Sequence, residues 1–327
     1  MAVGGICLTD RAEGSSEAGY NTAFQMSTLD EYRLVVVSTD PDWYGFQRAH
    51  SEFEEVNFWR PGATSTQMAR GTPWLFLLRG TSEIWGCAFY SAFSVMPIGV
   101  AWDTFGLANG FDDFTQFVNK IATLTGKAGK DVANIGCAVL SAPEYFEIPI
   151  EYKPFGRMYG PLKSFDARAT EGARLHRELT DRIQSSPELA PFLAGGKGKP
   201  VLVPTRLGQG AFRIELERQY ETRCAITGER TRPVLDAAHI KPFKLVGQHS
   251  LPNGLLLRKD IHKLFDDGYV TVTPDRRFRV SRAIRDEFEN GRDYYALDGR
   301  QIRDTLKPAA RPGPDYLEWH SSVLFKG

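Results

Sequence analysis

Residues able to do chemistry concentrate in one stretch: Cys224-Ala-Ile-Thr-Gly228, Asp236-Ala-Ala-His-Ile240, Asn253-Gly-Leu-Leu-Leu257 and Asp260-Ile-His-Lys-Leu-Phe-Asp266. Val234 to Ile240 reads as a strand ending in His239, and a polar loop containing Gly and Pro follows it. A second short strand begins after Asn253, and a helix over about 258–267 is closed by Gly268. His262 and Asp266 are four residues apart on that helix and share a face. An imidazole at a strand end, facing an imidazole and a carboxylate on a helix, suits metal-assisted hydrolysis. One imidazole takes a proton from water while the helix pair holds a divalent ion.

These residues resemble the HNH nuclease family, whose ββα-metal finger carries a His, an Asn and a His in strand–loop–helix order. The resemblance implies a phosphodiester hydrolase. In it His239 is the general base, Asn253 braces the loop that holds His239, and His262 binds the divalent cation. Asp266 stands where some members have a second helix ligand. The implied ion is Mg²⁺, with Mn²⁺ as the alternative. One departure affects the metal shell. Many members place an Asp or His ligand directly before the base, and here that residue is Ala238. Asp236 is the substitute ligand, although strand alternation aims it away from His239. The paired cysteines of some relatives are absent, so no structural zinc is expected and Cys224 reads as a packing residue. Arg206, Gln209, Arg213, Lys241 and Arg258 flank the finger and are the expected contacts to double-stranded DNA, through its phosphates. Lys244, Lys259, Arg276, Arg277 and Arg279 extend that surface. His249 reads as an exposed loop residue and His320 as packing for the last helix. Gly208-Gln-Gly210 lacks a third Gly at Arg213 and fails as a dinucleotide loop.

The first half has a different character. Five of the six tryptophans lie in it. Tyr32-Arg-Leu-Val-Val-Val37 is a strand, and a helix starts near Asp42 after Pro41. Trp74–Leu78 and Ile84–Tyr90 flank Gly80-Thr-Ser82 as a hairpin. Residues 112–124 form an amphipathic helix, and Ile135–Leu140 and Phe146–Ile150 are two further strands. Asn57-Phe-Trp-Arg-Pro61, Gly71-Thr-Pro-Trp-Leu-Phe-Leu77 and Ile84-Trp-Gly86 are similar to the PUA-like superfamily of EVE, YTH and ASCH domains. That similarity is topological. It implies a small β-barrel of α+β type that grips a flipped, modified base among aromatic rings, with Trp43, Trp59 and Trp85 as the candidates.

The whole chain therefore reads as α+β: a flexible tail at 1–28, a PUA-like reader at 29–165, a connecting helix and linker at 166–200, and an HNH nuclease domain at 201–327. Its 327 residues carry 40 Lys+Arg and 40 Asp+Glu, a net charge of zero. That zero is an average. Residues 1–150 hold 9 basic and 17 acidic side chains, whereas 151–327 hold 31 and 23. A basic half containing the finger fits a polyanionic substrate. No apolar run is long enough for a membrane span, no secretory leader is evident, and four scattered cysteines argue against a disulfide scaffold, so a cytoplasmic protein without membrane partners is expected. Since one finger cuts one strand, double-strand cleavage implies a homodimer. The expected activity is modification-dependent DNA cleavage of the restriction type. Two other readings stay open: a nuclease gated by a small nucleotide signal, and a DNA-binding protein without catalysis.

Overall fold

The β-branched run Arg33–Thr39 is buried along most of its length, which an amphipathic edge strand would not be, so it becomes the interior strand β1. In this computed structural model, which describes residues 32–62, 68–128, 134–183 and 208–327, β1 is followed by α1 (Pro41–Ala49), β2 (Glu55–Pro61), β3 (Pro73–Leu78), β4 (Glu83–Met96), α2 (Ile98–Phe105), α3 (Phe114–Thr125), β5 (Ile135–Glu151), β6 (Leu162–Asp166) and α4 (Thr170–Ile183). The expectations for the tail at 1–28, the Gly- and Lys-rich linker and Arg206 lie outside the described residues.

The six strands form one sheet in the order β2-β5-β4-β3-β1-β6. It curls into a half-barrel, so the α+β class holds, and it stays open between β2 and β6. Asp40 starts α1 by accepting from the Asp42 and Trp43 amides, at 3.0 and 3.4 Å. The two strands expected over 135–150 are one. Ala142-Pro143 breaks the alternation, but Ala142 takes up the irregularity at φ 48° and the pairing with β4 continues through register shifts.

The remaining elements are α5 (Gln209–Gln219), β7 (Leu235–His239), α6 (Phe243–Val246), β8 (Gly254–Arg258), α7 (Lys259–Asp266), β9 (Val270–Val272), β10 (Phe278–Val280), α8 (Ala283–Phe288), α9 (Arg292–Tyr295) and α10 (Pro314–Val323). The strand–strand–helix unit of β7, β8 and α7 appears where the sequence places it. Among the described residues no helix is long and apolar enough to cross a membrane.

Helix α5 belongs to two cores. Ala211 and Ile214 pack with Met96, Ile98 and Phe117, while Phe212 and Leu216 pack with β7, β8 and α7. Its start is fixed by a close approach: the Gly208 and Gly210 amides donate to the Glu55 carboxylate at 3.0 and 2.9 Å. A Cβ at Gly208 would lie 2.1 Å from Glu55 Cδ, and one at Gly210 2.3 Å from a Phe105 ring carbon. Only glycine permits this contact.

A buried ionic chain ties the same helix to β4 and β7. Arg232 donates to the Val95 carbonyl, to Ser94 Oγ and to Glu217. Glu217 also accepts from Arg213 Nε at 3.4 Å. Arg213 then reaches Asp236 Oδ1 at 3.3 Å and the Leu235 carbonyl at 2.9 Å. The Arg213 and Glu217 side chains are only 6% and 4% exposed. Glu217→Gln would leave two arginines facing a neutral group, and loss of one member of a buried pair costs about 3–5 kcal/mol. A clear drop in the urea midpoint is expected, and an unchanged midpoint would refute this role.

His320, on α10, is buried between Phe265, whose ring it stacks on at 3.6 Å, and Thr271 Oγ1 at 2.8 Å. Burial pushes its pKa down to about 4 from 6.5. Between those values the unfolded chain binds a proton that the folded chain refuses, so stability falls as pH drops through this window. Urea melts near pH 5 should show a lower midpoint than at pH 7.

Candidate active site

His239 sits at the C-terminal end of β7, where its ring lies flat on Phe212 of α5, with centroids 4.4 Å apart at 11°. Its Nε2 is 2.9 Å from Nδ1 of His249, and His249 stacks in turn on Phe243 at 4.4 Å. The loop carrying His249 is closed at its neck by the fully buried Asn253. The Asn253 Oδ1 accepts from the Lys241 amide and its Nδ2 donates to the Lys241 carbonyl, both at 2.8 Å. The Ile240 amide donates to the Asn253 carbonyl at 3.0 Å. His239 is thus held from below by a ring, from the side by an imidazole, and along the chain by Asn253.

His262 faces it from α7 between two carboxylates. Nδ1 is 2.9 Å from Asp236 Oδ2, and Nε2 is 3.4 Å from Asp266 Oδ2. All of these groups border one cavity of about 370 Å³, together with His239 and Gln209. Burial, and then the neighbouring imidazoles of His249 and His262, push the His239 pKa down to about 4 from 6.5. That keeps it neutral, the form a base requires, and an incoming phosphate charge would draw the value back up. Burial opposes charge on His262, yet Asp236 and Asp266 together hold its pKa above the usual value.

Among the described residues, no group of three or more His, Cys, Asp or Glu side chains could hold a metal ion. Nε2 of His262 and the Asp266 carboxylate, 3.4 Å apart, are a pair of donors at the cavity. Ala238, beside the base, is fully buried and adds none. Two donors fit a hard cation that keeps most of its shell as water and phosphate oxygen. Asp236, expected as a ligand, has both oxygens engaged: Oδ2 meets His262, and Oδ1 meets Arg213 and the Ala237 amide, which suits a group that orients His262. A carboxylate behind a ligating imidazole fixes its tautomer and raises its basicity.

The expected phosphate contacts divide. Gln209 borders the cavity, and Lys241 flanks it, 5.4 Å above the Trp319 ring. Arg213 is corrected, because it is buried and its guanidinium is used by Glu217, Asp236 and Leu235. Arg258 forms a two-pronged pair with Asp260 at 2.7 and 2.6 Å. Arg276, Arg277 and Arg279 pair with Asp304, Asp275 and Asp298, and Lys259 with Asp103. His249 was missed as a site residue. Its only signal is a position in the loop whose neck Asn253 closes.

A second cavity of about 300 Å³ opens in the first half, bordered by Trp43, Phe58, Trp59, Arg60 and Lys120. Two of the three predicted tryptophans meet there. Trp85 does not: its indole N–H donates to Glu83 at 3.0 Å, and its ring is absent from the lining.

Residues 224–273 match the family described as HNH endonuclease, so this segment carries the HNH domain that its residues resemble. A comparison with curated proteins gives no match. Among solved structures, the ASCH protein from Zymomonas mobilis is 15% identical, with a TM-score of 0.33 over 44% of this chain and 94% of that one. The modification-dependent restriction endonuclease TagI is 13% identical, with a TM-score of 0.29 over 83% of this chain and 75% of that one.

Asp236→Asn should raise the divalent-ion concentration needed for half-maximal cleavage by about 10–100-fold, the usual cost of losing a partner behind a metal-bound histidine. An unchanged requirement would remove Asp236 from this role. His249→Ala removes a neighbour that depresses the His239 pKa. The acid limb of the rate–pH profile should therefore move to higher pH, and a stationary limb would show that His249 does not act on the base.

Proposed function

We propose that this protein is a modification-dependent DNA endonuclease, in which the second half hydrolyses phosphodiesters and the first half reads a modified base. The observation that carries the nuclease reading is the convergence of His239, His262 and Asp266 over one cavity, with Asn253 buried behind the loop, within the segment that matches the HNH endonuclease family. In this reading the Nε2–H of His239 is donated to His249, so Nδ1 keeps its lone pair. That lone pair takes a proton from water as the oxygen attacks phosphorus and the bond to the 3′-oxygen breaks. Asn253 keeps the loop, and so the ring of His239, in place. His262 and Asp266 would hold a divalent cation, Mg²⁺ or alternatively Mn²⁺, whose charge stabilises the leaving oxygen when bound.

Support for base reading comes from the second cavity, whose lining includes Trp43 and Trp59, an aromatic border suited to a flipped ring. Its lining holds Arg60, Arg79 and Lys120 against the single carboxylate of Asp40, a net positive rim in an otherwise acidic half. The same rim favours the second reading, a nuclease gated by a small nucleotide. Gln209 and Lys241 remain the proposed contacts to the duplex, and a homodimer is proposed for cutting both strands.

Plasmid DNA, unmodified or bearing modified cytosines, tests this with Mg²⁺ or Mn²⁺. The modified plasmid should be cut, and His239→Ala should abolish cutting. Persistent cutting by that variant would exclude His239 as the base. Equal cutting of both plasmids would exclude modification reading, and dependence on an added nucleotide would select the gated nuclease.

A further inference from the structure

The second cavity has preorganised walls and unmatched polar groups. The Trp59 indole N–H donates to the Asn109 carbonyl at 2.9 Å, and its ring meets Phe117 edge-on at 5.3 Å. Trp43 is held edge-on by Phe58 at 5.2 Å and Phe76 at 5.7 Å. Such rings can receive a planar ligand without an ordering cost.

The cations at the rim differ in how they are matched. Arg79 and Lys120 both lean on Asp40, at 3.6 and 3.2 Å. Among the described residues Arg60 has no such partner. Its guanidinium lies 5.8 Å from the Phe58 ring centre, its Nη2 is buried with no hydrogen-bond acceptor among those residues, and burial alone lowers its pKa. Trp43, 5% exposed, also has an indole N–H without an acceptor. Buried donors left unmatched are costly, and the cost is recovered when a ligand brings acceptors.

We propose that this cavity takes a nucleobase bearing an additional oxygen acceptor, such as a hydroxymethyl or carboxyl group, and that Arg60 recognises that oxygen. This rests on the base-reading function proposed above and narrows its substrate class. A bare methyl would fill space but leave the Arg60 and Trp43 donors unmatched. An oxygen acceptor hydrogen-bonded to a charged donor should tighten binding by about tenfold to a hundredfold. The same chemistry, a planar ring with an accepting oxygen, is also offered by a free nucleotide.

The test uses the full chain in EDTA, so that no strand is cut, with fluorescence anisotropy on duplexes identical except at one cytosine. That cytosine is unmodified, 5-methyl, 5-hydroxymethyl or 5-carboxyl, and cytidine monophosphate is added as a competitor. The inference expects the oxygen-bearing duplexes to bind about tenfold or more tightly than the methyl duplex. Arg60→Met should erase that difference. Leu124→Trp, at a lining residue that is 46% exposed and so tolerant of change, should erase it too by filling the cavity mouth. Equal affinity for methyl and oxygen-bearing duplexes, both above unmodified DNA, would overturn the inference and leave modification reading intact. Retained discrimination in Arg60→Met would overturn it as well. Nucleotide binding that needs Arg60, with all duplexes equal, would support the cavity chemistry and overturn base reading. Indifference to every probe would overturn both.

Discussion

The structure turns on one buried chain of charge. Arg232 reaches from the Val95 carbonyl and Ser94 hydroxyl of β4 to Glu217, Glu217 to Arg213, Arg213 to Asp236, and Asp236 to His262. Every charged group in it faces an opposite charge, which is the condition under which ions tolerate burial. Arg213 and Glu217 ride on α5, the helix shared by both cores, so the chain and the packing lock together. The consequence for chemistry is local. Asp236 is held at both oxygens, and the imidazole it meets is presented to the cavity by Nε2 rather than left to rotate.

The same helix positions the base. Phe212 of α5 supplies the surface on which His239 lies, while the start of α5 is gripped by Glu55 of β2 through Gly208 and Gly210. Strand β2 also carries Trp59 and Arg60, which border the second cavity. One strand and one helix thus connect the two cavities through packed, hydrogen-bonded elements. Within the acidic first half, Arg60, Arg79 and Lys120 gather at the cavity around Asp40.

Much of the finger was legible in the sequence. His239, Asn253 and His262 have the residue types and order of a strand–loop–helix unit, and the four-residue spacing of His262 and Asp266 puts both on one face of α7. What local pattern cannot show is where long side chains go. Arg213 looks like a phosphate contact until the fold places Glu217 and Asp236 beside it, and the hairpin arginines look free until their aspartates arrive from distant segments. His249 became part of the site only because Asn253 folds the loop back on itself. The long strand β5 was divided in the sequence because Ala142-Pro143 mimics a turn, a break that pairing with β4 overrides. Trp43 and Trp59 converge through β2 and α1, whereas Trp85 is drawn aside by Glu83.

We propose a division of labour between two histidines, His262 on the ion and His239 on water. Isothermal titration of the full chain with Mn²⁺ separates the two roles without any DNA. Binding to a single site should persist in His239→Ala and vanish in His262→Ala. Undiminished Mn²⁺ binding by His262→Ala, or its loss in a folded His239→Ala, would contradict the account.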